Sequence, residues 1–272
     1  MESPRPTAWQ PITPQGVAAF AHAPWRRLLL VQFIVALLVG FAVAAFVREA
    51  YYPVITTAIA QLPDAGNIAN GRLSWTGESP TVLAEGKFLS LSVDTDHAGM
   101  LRSVAHLQVE FGATNLLIHS LLGYTEINYP RGWIVAANRQ ELTPLWGAWR
   151  PHMLAFTVAG VIVSLMASWY FLATLYAAPV WFAGFYLNRD LDWRRSWRFC
   201  GAAVLPGALL MLAAISFYTL GVMDLVQLGF VFAAHIVVSW VYLIVAIFFV
   251  PRVSDEQSKK NPFSRDSKAM PR

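Results

Sequence analysis

Four long apolar segments constrain this chain more than any other feature of its sequence. None of the four contains Asp, Glu, Lys or Arg, and they cover residues 28–47, 153–187, 201–222 and 227–250. A helix needs about 20 apolar residues to cross the roughly 30 Å hydrocarbon core of a bilayer. Charged residues make up only 13% of the chain, against about 25% in soluble domains. The sequence therefore predicts a membrane α-helical protein with four transmembrane helices.

Two of these segments admit more than one interpretation. The first could be a signal peptide, but its apolar run exceeds the roughly 7–15 residues of a signal core, and no clean cleavage motif precedes Arg48. We interpret it as an uncleaved signal-anchor. The second is too short for two crossings and a turn, so one crossing over 153–177 is expected. Pro179 then kinks or ends the helix, and 180–187 lies near the interface or prolongs a tilted helix.

The distribution of Lys and Arg predicts the orientation. Basic residues precede the first span, cluster in 188–200 and follow the last span, whereas Asp224 is the charged residue of the turn between spans three and four. By the positive-inside rule, both termini and the 188–200 loop are cytoplasmic. The predicted order is a cytoplasmic segment 1–27, helix 1 at 28–47, an exported domain 48–152, helix 2 at 153–187, a basic loop 188–200, helices 3 and 4 within 201–250, and a disordered cytoplasmic tail 251–272.

The predicted exported domain is small and all-β. A short helix over 51–62 precedes it and ends at Pro63. Alternating apolar and polar residues, clearest in 88–93 and 107–111, predict strands with one buried face. The domain forms a small antiparallel sheet or sandwich that leans on the membrane helices or on a partner, since Cys200 is the only cysteine and no disulfide can form. The expected strands are 72–76, 81–84, 87–94, 107–111, 115–119, 125–129 and 133–136.

Several of these features together resemble a known family. They are the first span, the short helix, Leu62-Pro63, Asn70-Gly71 and the strand closing in Val93-Asp94-Thr95. In these features the chain is similar to an uncharacterised family of bacterial membrane proteins, grouped by a domain of unknown function. The C-terminal half, with its long second span, basic loop and Pro206, is similar to the same family and to Yip1-type multi-pass proteins. The resemblance covers about residues 25–250, and it implies a multi-pass protein of the bacterial inner membrane with an exported β domain and no assigned activity.

No metal, cofactor or catalytic site is predicted. Asp94-Thr95-Asp96-His97 suggests a calcium loop with Gly99 at position 6, but Ala98 and Ala105 occupy positions 5 and 12, where ligands are needed. A strand-ending turn is the favoured interpretation. His106 and His119 could join Asp94 or Asp96 in a zinc site, but these residues lack close spacing. Motifs of metalloproteases, α/β-hydrolases and nucleotide-binding folds are absent from the sequence.

Residues inside the spans form two further candidate groups. His235 in the fourth span is either a functional ionisable residue or, as favoured here, a neutral hydrogen-bonded side chain facing the bundle interior. Two stripes of small residues at four-residue spacing predict that spans one and two pack together, or that the chain dimerises. The stripes are Ala36, Gly40 and Ala44 in span one and Gly160, Ser164 and Ser168 in span two.

The basic loop is a candidate lipid site. Its arginines are interleaved with Trp193 and Trp197, so the loop is either a topology signal alone or a site for anionic headgroups, where each Arg contributes about 1 kcal/mol. The arginines are Arg189, Arg194, Arg195 and Arg198. Nucleic acid is not an expected partner, because the aromatic residues mark a membrane border.

The predicted function is that of a non-catalytic membrane protein: a scaffold, an accessory subunit or a sensor whose exported β domain binds a partner. The expected partners are the lipid bilayer and either another protein or further copies of the chain. The alternative is a small oligomeric transporter or channel, because four spans without buried charge make a poor ion path unless the chain oligomerises. An enzyme ranks third.

Overall fold

The computed structural model describes residues 10–97, 101–120 and 123–253. The chain divides into two compact units, and each is described by itself. The helical unit comes from 1–40 and 160–272, and the β unit comes from 41–159. Two long helices, α2 (Trp25–Ala50) and α4 (Arg139–Tyr186), contribute residues to both units.

Four helical segments are long and apolar enough to cross a membrane, as the sequence predicted. The first is α2 followed by α3 (Tyr52–Ala60), and the second is α4. The third is α5 (Trp193–Ala203) followed by α6 (Leu205–Thr219), and the fourth is α7 (Leu225–Ala246) with a 3-10 turn over Ile247–Phe249. The β-strands come after the first of these segments in the chain.

The second membrane helix is longer than predicted. Helix α4 starts at Arg139, inside the segment assigned to the exported domain, and its 48 residues correspond to about 72 Å, more than twice the hydrocarbon thickness. The helix continues through Pro179 to Tyr186, so the prediction that Pro179 ends it is wrong and the alternative of a prolonged helix is confirmed. A proline removes one backbone donor, and membrane helices tolerate this loss.

The predicted basic loop 188–200 is partly helical. Helix α5 begins at Trp193 because Asp192 caps it, its carboxylate accepting a hydrogen bond from the Arg195 backbone N at 2.7 Å. The predicted tail also begins with ordered residues, since Arg252 forms a β-bridge with Arg189. The rest of that prediction, for 254–272, lies outside the described residues.

The N-terminal segment contributes to the core of the helical unit. Thr13 caps α1 (Pro14–Ala19), and a 3-10 turn follows over Phe20–His22. Val17 and Phe20 are fully buried there, next to α5 and α7. Burial of such side chains stabilises a protein by about 1.5–3 kcal/mol each, so this segment is part of the fold rather than a free extension.

Two close approaches fix the positions of helices in this unit. The buried Gln32 side chain of α2 donates a hydrogen bond from Nε2 to the Gly201 carbonyl of α5, at 3.0 Å. Gly207 of α6 lies against α7, where an added Cβ would stand 2.5 Å from both His235 O and Ser239 Oγ. Small residues permit such contacts between helix backbones, which drive helix association in lipid.

The β unit contains two sheets and helix α3. The strands are β1 (Gly66–Ala69), β2 (Arg72–Trp75), β3 (Thr81–Glu85), β4 (Leu89–Val93), β5 (Leu107–Phe111), β6 (Asn115–Ser120), β7 (Gly123–Asn128) and β8 (Ile134–Ala136). The strand order is β2–β1–β8 in one sheet and β3–β4–β5–β6–β7 in the other. Apolar side chains of α3 and of both sheets form the core, which holds a cavity of about 250 Å³.

All seven predicted strands are present, but their arrangement differs from the prediction. Strand β1 was missed, and the expectation of an antiparallel sheet is wrong for β4 and β5, which run parallel with Leu89 opposite Leu107. The connection 94–106 is long enough for the crossover that parallel strands need, about a dozen residues. The unit is also not all-β, because α3 and parts of α2 and α4 belong to it.

Candidate functional site

The five-stranded sheet ends at β7, and among residues 10–97, 101–120 and 123–253 no further strand pairs with this edge. All six residues of β7 are exposed, including Tyr124 at 72% and Ile127 at 48%. Strand β7 pairs with β6 in a regular register without a bulge. An edge strand presents a row of unpaired backbone N–H and C=O groups, to which a further strand can bind.

The other edge of the same sheet is protected. In β3 the register is irregular between Val82 and Ala84. Helix α3 also packs against this strand. Bulges and covering helices are two means by which proteins prevent pairing at a sheet edge. Of the two edge strands of this sheet, β7 is the regular and fully exposed one, and no further strand of the described residues pairs with it.

An apolar row runs from the core of the β unit to the open edge. Phe111 of β5 stands opposite Leu116 of β6, which in turn stands opposite Ile127 of β7. Residues directly opposite each other share one face of a sheet. Phe111 packs into the core, whereas Ile127 at the end of the row is exposed. The row offers a partner strand an apolar contact beside the backbone edge.

On β4 and β5 the opposite face of the sheet is polar and buried. Ser90, Ser92, Glu110 and Gln108 all lie there with little exposure. The crossover 94–106 is hydrogen bonded to this face, since the Ser103 backbone N donates to Gln108 Oε1 at 3.2 Å and Gln108 Nε2 donates back to the Leu101 carbonyl at 3.2 Å. These two bonds give the amide of Gln108, a buried polar side chain of this face, both a donor and an acceptor.

His97 links this crossover to the sheet. Its Nδ1 lies 2.7 Å from Glu110 Oε1, and its Nε2 bonds to Asn115 Oδ1. Both partners accept, because the Asn115 amide donates to Glu126, so both ring nitrogens carry protons. Partial burial lowers the pKa of His97, but the hydrogen bonds to Asn115 and Glu110 and the charges of Glu110 and Asp94 outweigh it, and the pKa is raised above the ordinary 6.5.

The Asp94–His97 segment forms a turn, as predicted. The His97 backbone N donates to the Asp94 carbonyl at 3.3 Å, and His97 has a φ of 49°. In the described part of the chain no group of three or more His, Cys, Asp or Glu side chains is placed to hold a metal ion. The rings of His106 and His119 face Phe88 and Tyr124 instead. Ala98 and Gly99 of the considered calcium loop lie outside the described residues.

The two small-residue stripes differ in exposure. Ala36, Gly40 and Ala44 are buried, whereas Gly160, Ser164 and Ser168 are exposed. A Cβ added at Gly160 would meet nothing within 4 Å, so no described residue packs closely on this glycine, and packing or dimerisation through the two stripes stays a prediction. The face of α4 that packs instead carries Trp169, Ala173, Ala177, Val180 and Gly184. Ala173 and Ala177 have the same four-residue spacing, so spacing alone did not identify the packed face.

Three of the four predicted headgroup arginines bind within the protein. Arg189 donates from Nη1 to the Val250 carbonyl at 2.8 Å, and Arg198 donates from Nη1 to the Ala23 carbonyl at 2.7 Å. Arg195 forms an ion pair with Asp190. The fourth, Arg194, is exposed and has no hydrogen bond or ion pair with any residue that the structure describes.

His235 is half-buried on α7. Its Nδ1 donates to the Phe232 carbonyl of the same helix. With Ser239, Tyr176 and Trp240 it lines a cavity of about 430 Å³ in the helical unit, and no carboxylate is among the lining residues. A carbonyl can only accept, so Nδ1 carries a proton. The ring is thus hydrogen bonded within its own helix, and whether it is a neutral structural residue or a functional one stays a prediction.

Comparisons with protein-family models, with curated proteins and with solved structures found no match for this chain. The resemblance to the uncharacterised bacterial family and to Yip1-type proteins therefore stays a prediction. The candidate site on β7 is supported by the geometry of the strand and its neighbours, without support from a related protein.

Proposed function

We propose that this chain is a non-catalytic membrane protein, a scaffold, accessory subunit or sensor, whose β unit binds another protein by accepting a strand along β7. The observation that carries the proposal is the exposed, bulge-free strand β7 in a sheet whose other edge strand, β3, has an irregular register and packs against α3. In strand addition, main-chain hydrogen bonds supply affinity and alternate side chains supply specificity.

The side chains of β7 indicate what the partner strand must provide. Ile127 extends the apolar row of the sheet and is about half exposed, so a partner that covers it gains roughly 1 kcal/mol from this side chain. Glu126, the charged residue of the strand, accepts a hydrogen bond from the Asn115 amide on the opposite face of the sheet from Ile127. The expected partner segment is therefore extended, and it carries an apolar residue opposite Ile127.

The proposal also states on which side of the membrane the β7 site lies. Basic residues flank the first span at its start and cluster in 188–200, which supports a β unit on the exported side and termini in the cytoplasm. In a bacterial cell this would place β7 in the periplasm, where partners in the same membrane could reach it.

Site-specific photo-crosslinking in membranes tests the binding mode. A photoreactive amino acid is placed at Ile127 and, as a matched control, at Val82 on the protected edge, where exposure is almost the same at 46%. We expect a discrete adduct at position 127 whose mass is not twice that of the chain, and none at position 82. An adduct of doubled mass would identify a second copy as the partner. Equal adducts at both positions, or none, would contradict the proposal.

A second candidate function is the small oligomeric transporter or channel. The observation that favours it is the cavity of about 430 Å³ beside His235, between helices that are apolar enough to span a membrane. Its test is substrate flux into liposomes that contain the purified chain, compared with a His235→Ala variant. Flux that requires His235 would favour transport over a scaffold.

A further inference from the structure

Arg194 stands beside a preformed aromatic pocket in the helical unit. The pocket has a volume of about 280 Å³ and is lined by Trp25, Tyr170, Thr174, Trp193, Arg194 and Trp197. The Trp197 side chain is buried and forms its floor. Three neighbours hold it in place: the ring centroid of Trp25 lies 4.4 Å away, that of Tyr170 lies 5.4 Å away, and Thr174 Oγ1 accepts from Trp197 Nε1 at 3.0 Å.

Arg194 is the exposed cation that lines this pocket. The neighbouring acids are engaged elsewhere: Asp190 pairs with Arg195 and lies 3.2 Å from His22, and Asp192 caps α5. Arg194 itself has no polar partner among the residues described. A guanidinium offers five N–H donors in a planar fork that matches the geometry of phosphate oxygens.

The pocket lies at the ends of two membrane-crossing segments. Trp25 is the first residue of the span that contains α2, and Trp193 is the first residue of the span formed by α5 and α6. Aromatic rings at such positions prefer the headgroup level of a bilayer. At the headgroup level, the phosphate groups of phospholipids are the abundant anions. The acyl chains of the same lipids can contact the exposed aromatic rings.

We propose that Arg194 and this aromatic pocket bind the phosphate of an anionic phospholipid headgroup. The chemistry recognised is a phosphate oxyanion on the guanidinium, with the glycerol region against Trp25 and Trp193. The inference is independent of strand addition at β7, because each site belongs to a different unit of the chain. It restricts the basic loop to one lipid-binding arginine, while Arg189, Arg195 and Arg198 hold the fold together.

Native mass spectrometry of the full chain in mild detergent tests this site. The chain is titrated with dioleoyl phosphatidylglycerol, and the apparent Kd of the first bound lipid is measured. We expect Arg194→Gln to weaken binding about 5-fold, as one arginine contributes at a membrane surface. Trp193→Leu, which keeps the charge, should also weaken it. The matched control is Arg72→Gln on β2, an exposed arginine with no partner among the described residues, and it should change the Kd by less than about 2-fold.

The competing explanations predict different results. If Arg194→Gln and Arg72→Gln weaken binding equally, the attraction is diffuse and the proposed site is wrong. If millimolar inorganic phosphate displaces the lipid, the pocket takes free phosphate and the lipid assignment is wrong. If Arg194→Gln binds like the unmodified chain, the guanidinium does not recognise the headgroup. Circular dichroism of each variant serves as the folding control, and Arg194→Lys should recover part of the affinity because it restores the charge without the planar fork.

Discussion

Gly207→Ala is expected to separate α6 from α7 and destabilise the helical unit. The new Cβ would stand 2.5 Å from the His235 carbonyl oxygen and from Ser239 Oγ, and an ordinary contact needs at least 3.4 Å. The helices must therefore move apart by roughly 1 Å at this point. A gap of that size forfeits about a quarter to a half of each pairwise attraction of about 0.1–0.2 kcal/mol.

The expected loss follows from these values. Over some tens of atom pairs between α6 and α7, the lost attraction amounts to about 1–3 kcal/mol, which is also the usual cost of overpacking. The matched control is Gly160→Ala on α4, where an added Cβ meets nothing within 4 Å and helix propensity favours alanine by up to about 1 kcal/mol. Thermal unfolding in detergent should show a Tm about 2–12 °C lower for Gly207→Ala and an unchanged or higher Tm for Gly160→Ala. Equal Tm values for the two variants would refute the close contact at Gly207.

Three further predictions concern other parts of the chain. Gln32→Leu should lower the free energy of unfolding by about 1–3 kcal/mol, because it leaves the Gly201 carbonyl without its buried donor; a Tm equal to that of Leu38→Val would speak against this. Because the pKa of His97 is raised above 6.5, its stabilising contribution is fully present below about pH 6.5 and is lost as the pH rises through the folded-state pKa. Hydrogen exchange of the β5 and β6 amides should therefore accelerate in alkaline buffer beyond the intrinsic rate, and a His97→Gln variant with the same pH dependence would contradict this. For topology, single cysteines at the exposed residues Ser79 and Thr143 should react with an impermeant reagent from outside and Arg194→Cys should not; Ser196 is buried and unsuitable, and external labelling at position 194 would overturn the predicted orientation.

The membrane helices and most strands were predictable because their signals are local. A run of apolar residues without charge indicates a span, and alternation as in Leu107–Phe111 indicates a strand. The start of α4 at Arg139 was not predictable in this way, because the residues before 153 are too polar to count toward a span. The parallel pairing of β4 with β5 was also not predictable, because it depends on the connection between the two strands rather than on the sequence of either strand.

The candidate sites also combine features that are predictable from local sequence with features that depend on contacts between distant segments. The sequence predicted that β7 exists but not that it lies at an edge, because strand order arises from contacts between distant segments. Likewise, the four arginines of 188–200 are equivalent by charge, and only the positions of the Val250 and Ala23 carbonyls and of Asp190 distinguish them from Arg194. Small-residue spacing predicted a close helix contact but not its place, which is at Gly207 rather than at Gly160.

The open edge at β7 has a consequence for the life of the protein in the cell. If β7 accepts a partner strand as proposed, a copy without its partner would leave Tyr124 and Ile127 exposed at an unpaired edge, and proteases in cells remove protein that is not stably assembled. Such orphan copies should be degraded faster than assembled ones, so deletion of the partner should lower the amount of this chain without any change in its synthesis. Partner abundance would thereby set the stoichiometry of the assembly after translation.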